Sequence, residues 1–237
     1  MTNNAVVYVA WGDDFVALAR KSLASLKKHT PDVKAYLFTD KMRDRGLFDQ
    51  LDTIKVYNKR PETKVNGILL SCDIVKEERV IYLDSDTLVL GDISDLFGIG
   101  RWFDFAIAHA PFRRPKGKNP AGLLSSAFPV FNSGVIMYSP IYAVKRLFLE
   151  WADRVVGQKA DQFILSDLLY FDLSADIELC FTVLSQEYNA RTGWPFCVQG
   201  EVKILHGTLN LDKVASVVNQ KPGLIRVWMP GKGMIYK

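Results

Sequence analysis

Residues 80–90 read Val-Ile-Tyr-Leu-Asp84-Ser-Asp86-Thr-Leu-Val-Leu. This run constrains the chain more than any other. Its apolar, β-branched flanks predict a buried strand. Two bare carboxylates one residue apart at the end of such a strand are costly without a partner. A divalent cation is the simplest partner for two nearby anions. A cation held by two carboxylates keeps open positions that phosphate oxygens can fill. An Asx-rich turn without metal is the competing reading. Ligands in open α/β sheets bind beyond the carboxyl ends of strands, so the pair marks a candidate site for a metal and a diphosphate.

The neighbouring sequence predicts the sheet this strand belongs to. Residues 5–11 read as a strand and 13–28 as a helix, with Phe15, Leu18, Ala19, Leu23 and Leu26 on one face. Strands follow at 33–39 and 53–57, and a helix at 63–73. Alternating strands and helices imply a parallel sheet with right-handed crossovers. Further on, strands are expected at 103–109, 129–138 and 202–206. Ser139-Pro140 predicts the start of a helix reaching about residue 156. Asp161-Gln162 opens another. Residues 111–127 lack periodicity and read as a long loop. The length, 237 residues, allows one large α/β domain, and no linker or repeat divides it.

Composition excludes some classes. A net charge of +4 suits an anionic substrate, but no concentrated basic stripe points to nucleic acid. Cys72, Cys180 and Cys197 are odd in number and share no metal-ligand spacing, which fits reduced thiols and a cytoplasmic location. No run of about 18 apolar residues predicts a transmembrane segment, and Met1–Ala5 does not look like a signal peptide.

Other residues each carry two readings. His206 stands at the end of a short strand before Gly207; it suits a metal ligand or a histidine satisfied locally. Phe131-Asn132-Ser133-Gly134 breaks an apolar strand, as a β-bulge or as a place of close approach. Asp161 suits a helix-dipole acid or a site carboxylate. Arg113, Arg114, Lys116 and Lys118 suit a solvated loop, a lid or a docking surface for an anionic acceptor.

Taken together, the motifs resemble glycosyltransferase family 8, the retaining GT-A enzymes. The resemblance runs from about Val6 to about Thr208. It is carried by the first strand and its turn, Thr63-Lys64, Tyr82-Leu-Asp84-Ser85-Asp86, Phe131-Asn132-Ser133-Gly134, Asp161-Gln162, Tyr188-Asn189 and His206-Gly207. It implies an α/β fold: a single GT-A domain with a Rossmann-like, mostly parallel central sheet flanked by helices, and a smaller mixed region on the acceptor side. The nucleotide-binding half would cover about 1–100 and the acceptor- and sugar-binding half about 101–237. The implied activity is metal-dependent transfer of a sugar, with retention, from a nucleotide sugar (a UDP-sugar) to a carbohydrate or glycoconjugate acceptor.

The resemblance also implies roles. Asp84, Asp86 and His206 would hold Mn²⁺ (or Mg²⁺), and an imidazole beside two carboxylates favours Mn²⁺. The turn of Ala10, Trp11, Gly12 and Phe15 would line the uridine pocket. Lys64 would approach the diphosphate or the first aspartate, and Ser85 lies between the two metal ligands. Asn132, Ser133, Asp161 and Gln162 would surround the donor sugar, with Gln162 beside the anomeric carbon. Two departures stand out. The family follows its histidine with Gly-x-x-Lys-Pro-Trp. Here the run is His206-Gly207-Thr-Leu-Asn-Leu-Asp-Lys213, and Lys221-Pro222 comes later without Trp. Lys213 and Lys221 are therefore the candidates for gripping the departing phosphate. Trp11-Gly12 also replaces a small residue and Asp in the first turn.

A sugar-phosphate nucleotidyltransferase is the alternative enzyme class, but the acidic Asp13-Asp14 stands where a basic Gly-rich loop is expected. A non-catalytic carbohydrate-binding relative is the non-enzymatic alternative, and the intact Asp84, Asp86 and His206 count against it. A dehalogenase-type phosphatase is disfavoured by the register of Thr87.

Overall fold

The computed structural model describes residues 3–112, 128–172, 178–209, 211–221 and 223–236. Its centre is a seven-stranded sheet in the order β3-β2-β1-β4-β7-β6-β8. The strands are β1 (Asn4–Val9), β2 (Lys34–Thr39), β3 (Gln50–Thr53), β4 (Arg79–Leu83), β6 (Phe105–His109), β7 (Phe131–Tyr138) and β8 (Phe181–Leu184). The expected alternation holds for β1 to β4, which are all mutually parallel. β7 runs antiparallel to both neighbours, β4 and β6.

Period-two burial builds a core on each face. Ala5, Val7 and Val9 of β1 pack with Val80, Tyr82, Ile136 and Trp151 beneath α2 (Arg60–Ile74) and α4 (Tyr142–Arg154). Val6, Tyr8 and Ala10 face the other way, against Ala19, Leu23 and Leu26 of α1 (Gly12–Lys27) and Leu96 of α3 (Ser94–Ile99). Gly67 lets α2 ride close on β1, since a Cβ there would lie 2.6 Å from Val9 Cγ1.

Three expectations need correction. The third strand is Gln50–Thr53, not 53–57. Backbone register with β2, from Tyr36↔Gln50 to Thr39↔Thr53, fixes it rather than the apolar Ile54 and Val56. α4 begins at Tyr142, with Ile141 in an extended N-cap conformation. Ser139-Pro140 instead belongs to the turn leaving β7, where the Ser139 amide donates to Asp104 O at 2.9 Å. The 80–90 run is two strands. Asp84–Asp86 forms a turn closed by Thr87 N–H to Asp84 O (3.2 Å), and β5 (Thr87–Val89) leaves the main sheet.

Two small sheets complete the described fold. One is β5-β11-β9, with β9 Ala190–Arg191 and β11 Ile204–His206. The strand expected at 202–206 is this shorter β11. The other is β10-β12-β13 (Phe196–Val198, Arg226–Met229, Gly233–Tyr236), packed with α6 (Leu211–Val218) around Trp228. β11 pairs antiparallel with β5, and His206 is the register partner of Thr87. That pairing brings a residue 120 positions away beside the Asp84–Asp86 turn.

Candidate active site

Asp84 leaves the end of β4, its amide held by Gly134 O at 2.8 Å. His206 reaches it from β11. Its Nε2 lies 3.4 Å from Asp84 Oδ2 and 3.3 Å from Asp86 Oδ1. One ligand atom from each of these three residues lies within 4.8 Å of the others, so the cluster has the reach to enclose one cation. On the far side of the ring, Nδ1 is 2.8 Å from Asn189 Oδ1. Asn189 Nδ2 donates to Asn132 Oδ1 (2.8 Å), which leaves its oxygen to accept from His206 Nδ1–H. Nε2 is then the lone-pair nitrogen turned to the carboxylates, as metal ligation requires.

The ring is also fixed sterically. A Cβ on Gly134 would lie 1.9 Å from His206 Cε1. Of the two readings of the break in β7, the bulge is the one seen, and what approaches Gly134 is a side chain of the protein rather than a ligand. The pairing with β6 shifts register between Ala108↔Asn132 and Ile107↔Ile136, which is a bulge, and the group in close approach is the imidazole.

Lys64 on α2 sits behind Asp84. Its Nζ is 2.9 Å from Asp84 Oδ1, 3.3 Å from Asp161 Oδ2 and 3.0 Å from Ser133 Oγ. Of its two expected places, this is the one on the first aspartate. Ser133 donates to Asp161 Oδ2 at 2.6 Å, so Asp161 is bound into the site and makes no side-chain cap on α5 (Gln162–Asp167). Two side-chain amide atoms are buried without a partner among the described residues: Asn132 Nδ2 and Gln162 Oε1.

Charge follows this geometry. Burial pushes the Asp84 carboxyl up, but Lys64, with His206 and the Tyr82 hydroxyl (2.6 Å), outweighs it and holds Asp84 well below the carboxylate range. Asp86 is also held down, because hydrogen bonding to His206 overcomes its burial. Burial depresses His206, yet Asp84 and Asp86 more than compensate and raise its pKa above the ordinary imidazole value. Burial likewise depresses Lys64, and Asp161 and Asp84 reverse this, keeping it a cation.

A cleft opens over these groups, lined by Trp11, Phe15, Arg60, Lys64, Asp84 and Asp86, among others. The Trp11 and Phe15 rings are 5.8 Å apart, and the Arg60 guanidinium lies 4.7 Å over Phe15. Ser85 is also on the wall. Ala10 reaches the turn only through its backbone, because its methyl is in the α1-side core. Gly12, at φ +70°, donates its amide to Asp40 Oδ1 at 3.3 Å.

Lys213 lines an adjoining groove with Ser85, Asp86, Thr87 and Thr208, so it borders the Asp84–Asp86 turn. Lys221 is turned elsewhere, its Nζ 4.8 Å over the Tyr236 ring. His109 stacks on Phe131 at 5.2 Å. The basic run Arg113–Lys118 lies outside the described residues.

Sequence reasoning missed several groups of the cleft. Tyr82 carried a signal, since it stands on β4 two residues before Asp84 and its hydroxyl donates to that carboxylate. Asn189 appeared in a motif but had no assigned role. Lys159, Thr208 and Arg60 also line the cleft, and nothing local distinguishes them in the sequence.

No family model matches the chain. The chain is 28% identical to human glycogenin-2 over 171 residues, 64% of this chain and 30% of that protein. It thus spans less than a third of that relative. The fold matches the glycosyltransferase GlyE of Streptococcus pneumoniae TIGR4 (TM-score 0.54, 23% identity, 80% of this chain and 48% of that one). It also matches the galactosyltransferase LgtC, solved with donor and acceptor sugar analogues (TM-score 0.59, 19% identity, 79% and 75%). The fold is that of the GT-A glycosyltransferases, and the family-8 resemblance read from the motifs is borne out.

Proposed function

We propose that this protein is a metal-dependent glycosyltransferase that moves a sugar, with retention, from a UDP-sugar to a carbohydrate acceptor. The observation that carries the reading is the Asp84–Asp86–His206 cluster, with His206 Nε2 oriented by Asn189 and facing two ionised carboxylates. That donor set fits Mn²⁺. Bound there, the ion would neutralise the charge that grows on the departing nucleoside diphosphate.

The chain's own residues supply the rest. Trp11 and Phe15 offer stacking faces for the base, and Arg60 adds positive charge beside them. Lys64 bridges Asp84 and Asp161 and holds both carboxylates in place. Lys159 on the cleft and Lys213 on the adjoining groove would add positive charge for a departing phosphate. Asn132 Nδ2 and Gln162 Oε1, buried and unpaired, are a donor and an acceptor that sugar hydroxyls or a developing positive centre would satisfy. The nucleotide-binding half covers about 1–100, and the sugar and acceptor half about 101–237.

Two measurements test the proposal. Calorimetry should show UDP binding that depends on Mn²⁺. A panel of UDP-sugars should release free UDP, through slow hydrolysis, for one donor before any acceptor is known. Asp86→Asn keeps the shape but loses the charge that holds the cation. It should fold normally and lose turnover; activity retained at saturating Mn²⁺ would refute the metal assignment.

A further inference from the structure

We infer that Phe112, Phe163 and Trp194 form a stacking platform for a sugar ring of the acceptor. This deepens the transferase reading and rests on it. The Trp194 and Phe112 ring centroids are 5.2 Å apart at 42°, and Phe112 meets Phe163 edge-on at 6.4 Å and 78°. Trp194 is 42% exposed, whereas the core tryptophans Trp151 and Trp228 are 0% and 1% exposed, so the cluster is not a piece of core. Trp102 is more exposed still, at 78%, but is in no recorded ring contact among the described residues. An indole kept at the surface by another ring suits binding better than chance exposure.

The position of the rings ties them to the site. Phe163 directly follows Gln162 on α5. Trp194 lies in the turn after β9, where Arg191 is the register partner of His206. The Thr192 amide donates to His206 O at 3.0 Å, and Thr192 Oγ1 donates to Leu209 O at 2.6 Å, so this turn is fastened to the segment that carries Thr208 into the cleft. The platform therefore spans from the metal-ligand strand to the helix that opens with Gln162. The base has its own aromatic pair, Trp11 and Phe15, on the cleft wall, whereas none of these three rings lines that cleft, which leaves them for the second substrate. A pyranose presents a face of polarised C–H bonds, and the negative face of an aromatic ring attracts it while excluding water.

The test titrates maltose, lactose and N,N′-diacetylchitobiose into protein saturated with Mn²⁺ and UDP. At least one should bind the wild type. Trp194→Ala should weaken that binding about tenfold, the scale of one aromatic stacking contact. Trp194→Phe should restore most of it, which a loss of bulk structure would not permit. UDP affinity, measured first, should be shared by all three proteins. Equal sugar affinity in wild type and Trp194→Ala overturns the platform, as does a wild type that binds none of the three. A fall in UDP affinity in step with sugar affinity gives the ring to the donor instead, and also overturns it. A wild type that fails to bind UDP with Mn²⁺ sinks the donor-site reading itself, before any sugar is added. Should Trp194→Ala not fold, Phe112→Leu carries the same expectation of weakened sugar binding with retained UDP affinity.

Discussion

At the scale of single residues, His206 shows how a bland signal becomes a specific one. Alone, a histidine before a glycine decides nothing. Asn189 fixes its tautomer, Gly134 makes room for its ring, and two aspartates raise its pKa. Below that raised pKa and without metal, Nε2 carries a proton and faces both carboxylates; above it, Nε2 presents its lone pair. Below it, metal binding must displace a proton. The sign follows from the raised pKa: Mn²⁺ affinity should rise about tenfold per pH unit below that value and level off above it. Asp84 and Asp86 stay ionised throughout, since both are held down. Calorimetric Mn²⁺ titrations between mildly acidic and mildly alkaline pH would check this, and a flat profile would remove His206 from the ligand set. Gln162 gives a second residue-level expectation. Its buried, unpaired amide oxygen has no structural task in the described fold. Gln162→Ala should lower kcat by about 10- to 1,000-fold, the loss of one electrostatic contact of a few kcal/mol. Donor KM should change little, because the contact strengthens in the transition state. A raised KM at wild-type kcat would make Gln162 a ground-state contact only.

At the scale of elements, the Asp84–Asp86 turn is held from below by α1. Ser22 shares hydrogen bonds with Tyr8 OH (2.9 Å) and Thr87 Oγ1 (2.7 Å), and Thr87 Oγ1 donates to Asp84 O at 2.8 Å. Ser25 Oγ accepts from the Val89 amide at 2.9 Å. These buried hydroxyls join α1, β1 and β5 across the core. Ser22→Ala leaves two of them short of a partner and should cost about 1–2 kcal/mol. Adding Tyr8→Phe should recover part of that loss, because the stranded hydroxyl goes with it. Denaturant unfolding of the two single variants and the double variant would measure it; strictly additive losses would mean that the hydroxyls do not act together. This network shows the limit of reading elements from sequence. β1, α1, β2 and β4 were legible because their apolar periods are strong and local. The β4–β5 break, β3 and the β5-β11-β9 sheet were not. Each depends on backbone pairing with a strand distant in sequence, and such pairing leaves little trace in composition. Ser22 and Ser25, polar on a buried helix face, were the only local hint that β5 turns back over α1.

At the scale of the molecule, the candidate site was legible in its residue types and illegible in its assembly. Asp84-Ser85-Asp86 announces itself through bare acids in an apolar run. Lys64, Ser133 and Asp161 look ordinary until the fold closes them into one hydrogen-bonded group. Lys159 and Arg60 come to the cleft from positions that no local pattern marks, whereas Trp11 and Phe15 belong to the first turn, where a pocket wall was expected. The candidate cation site joins two sheets, because Asp84 directly follows a strand of the large sheet and His206 ends a strand of a small one. A bound ion would therefore cross-link two sheets that share no strand pairing among the described residues. Since an unfolded chain scatters these ligands, Mn²⁺ should bind the native state far better and stabilise it by mass action. At about 100 times its dissociation constant, the gain is about 2.7 kcal/mol. For a chain of this length that raises Tm by roughly 5–10 °C. Thermal unfolding by circular dichroism, with Mn²⁺ and then excess EDTA, should show the rise and its reversal. His206→Ala and Asp86→Asn should each lose most of the Mn²⁺-dependent shift, because either change removes one arm of the link. A full shift surviving in both variants would place the stabilising ion elsewhere and break the connection between the two sheets and the chemistry.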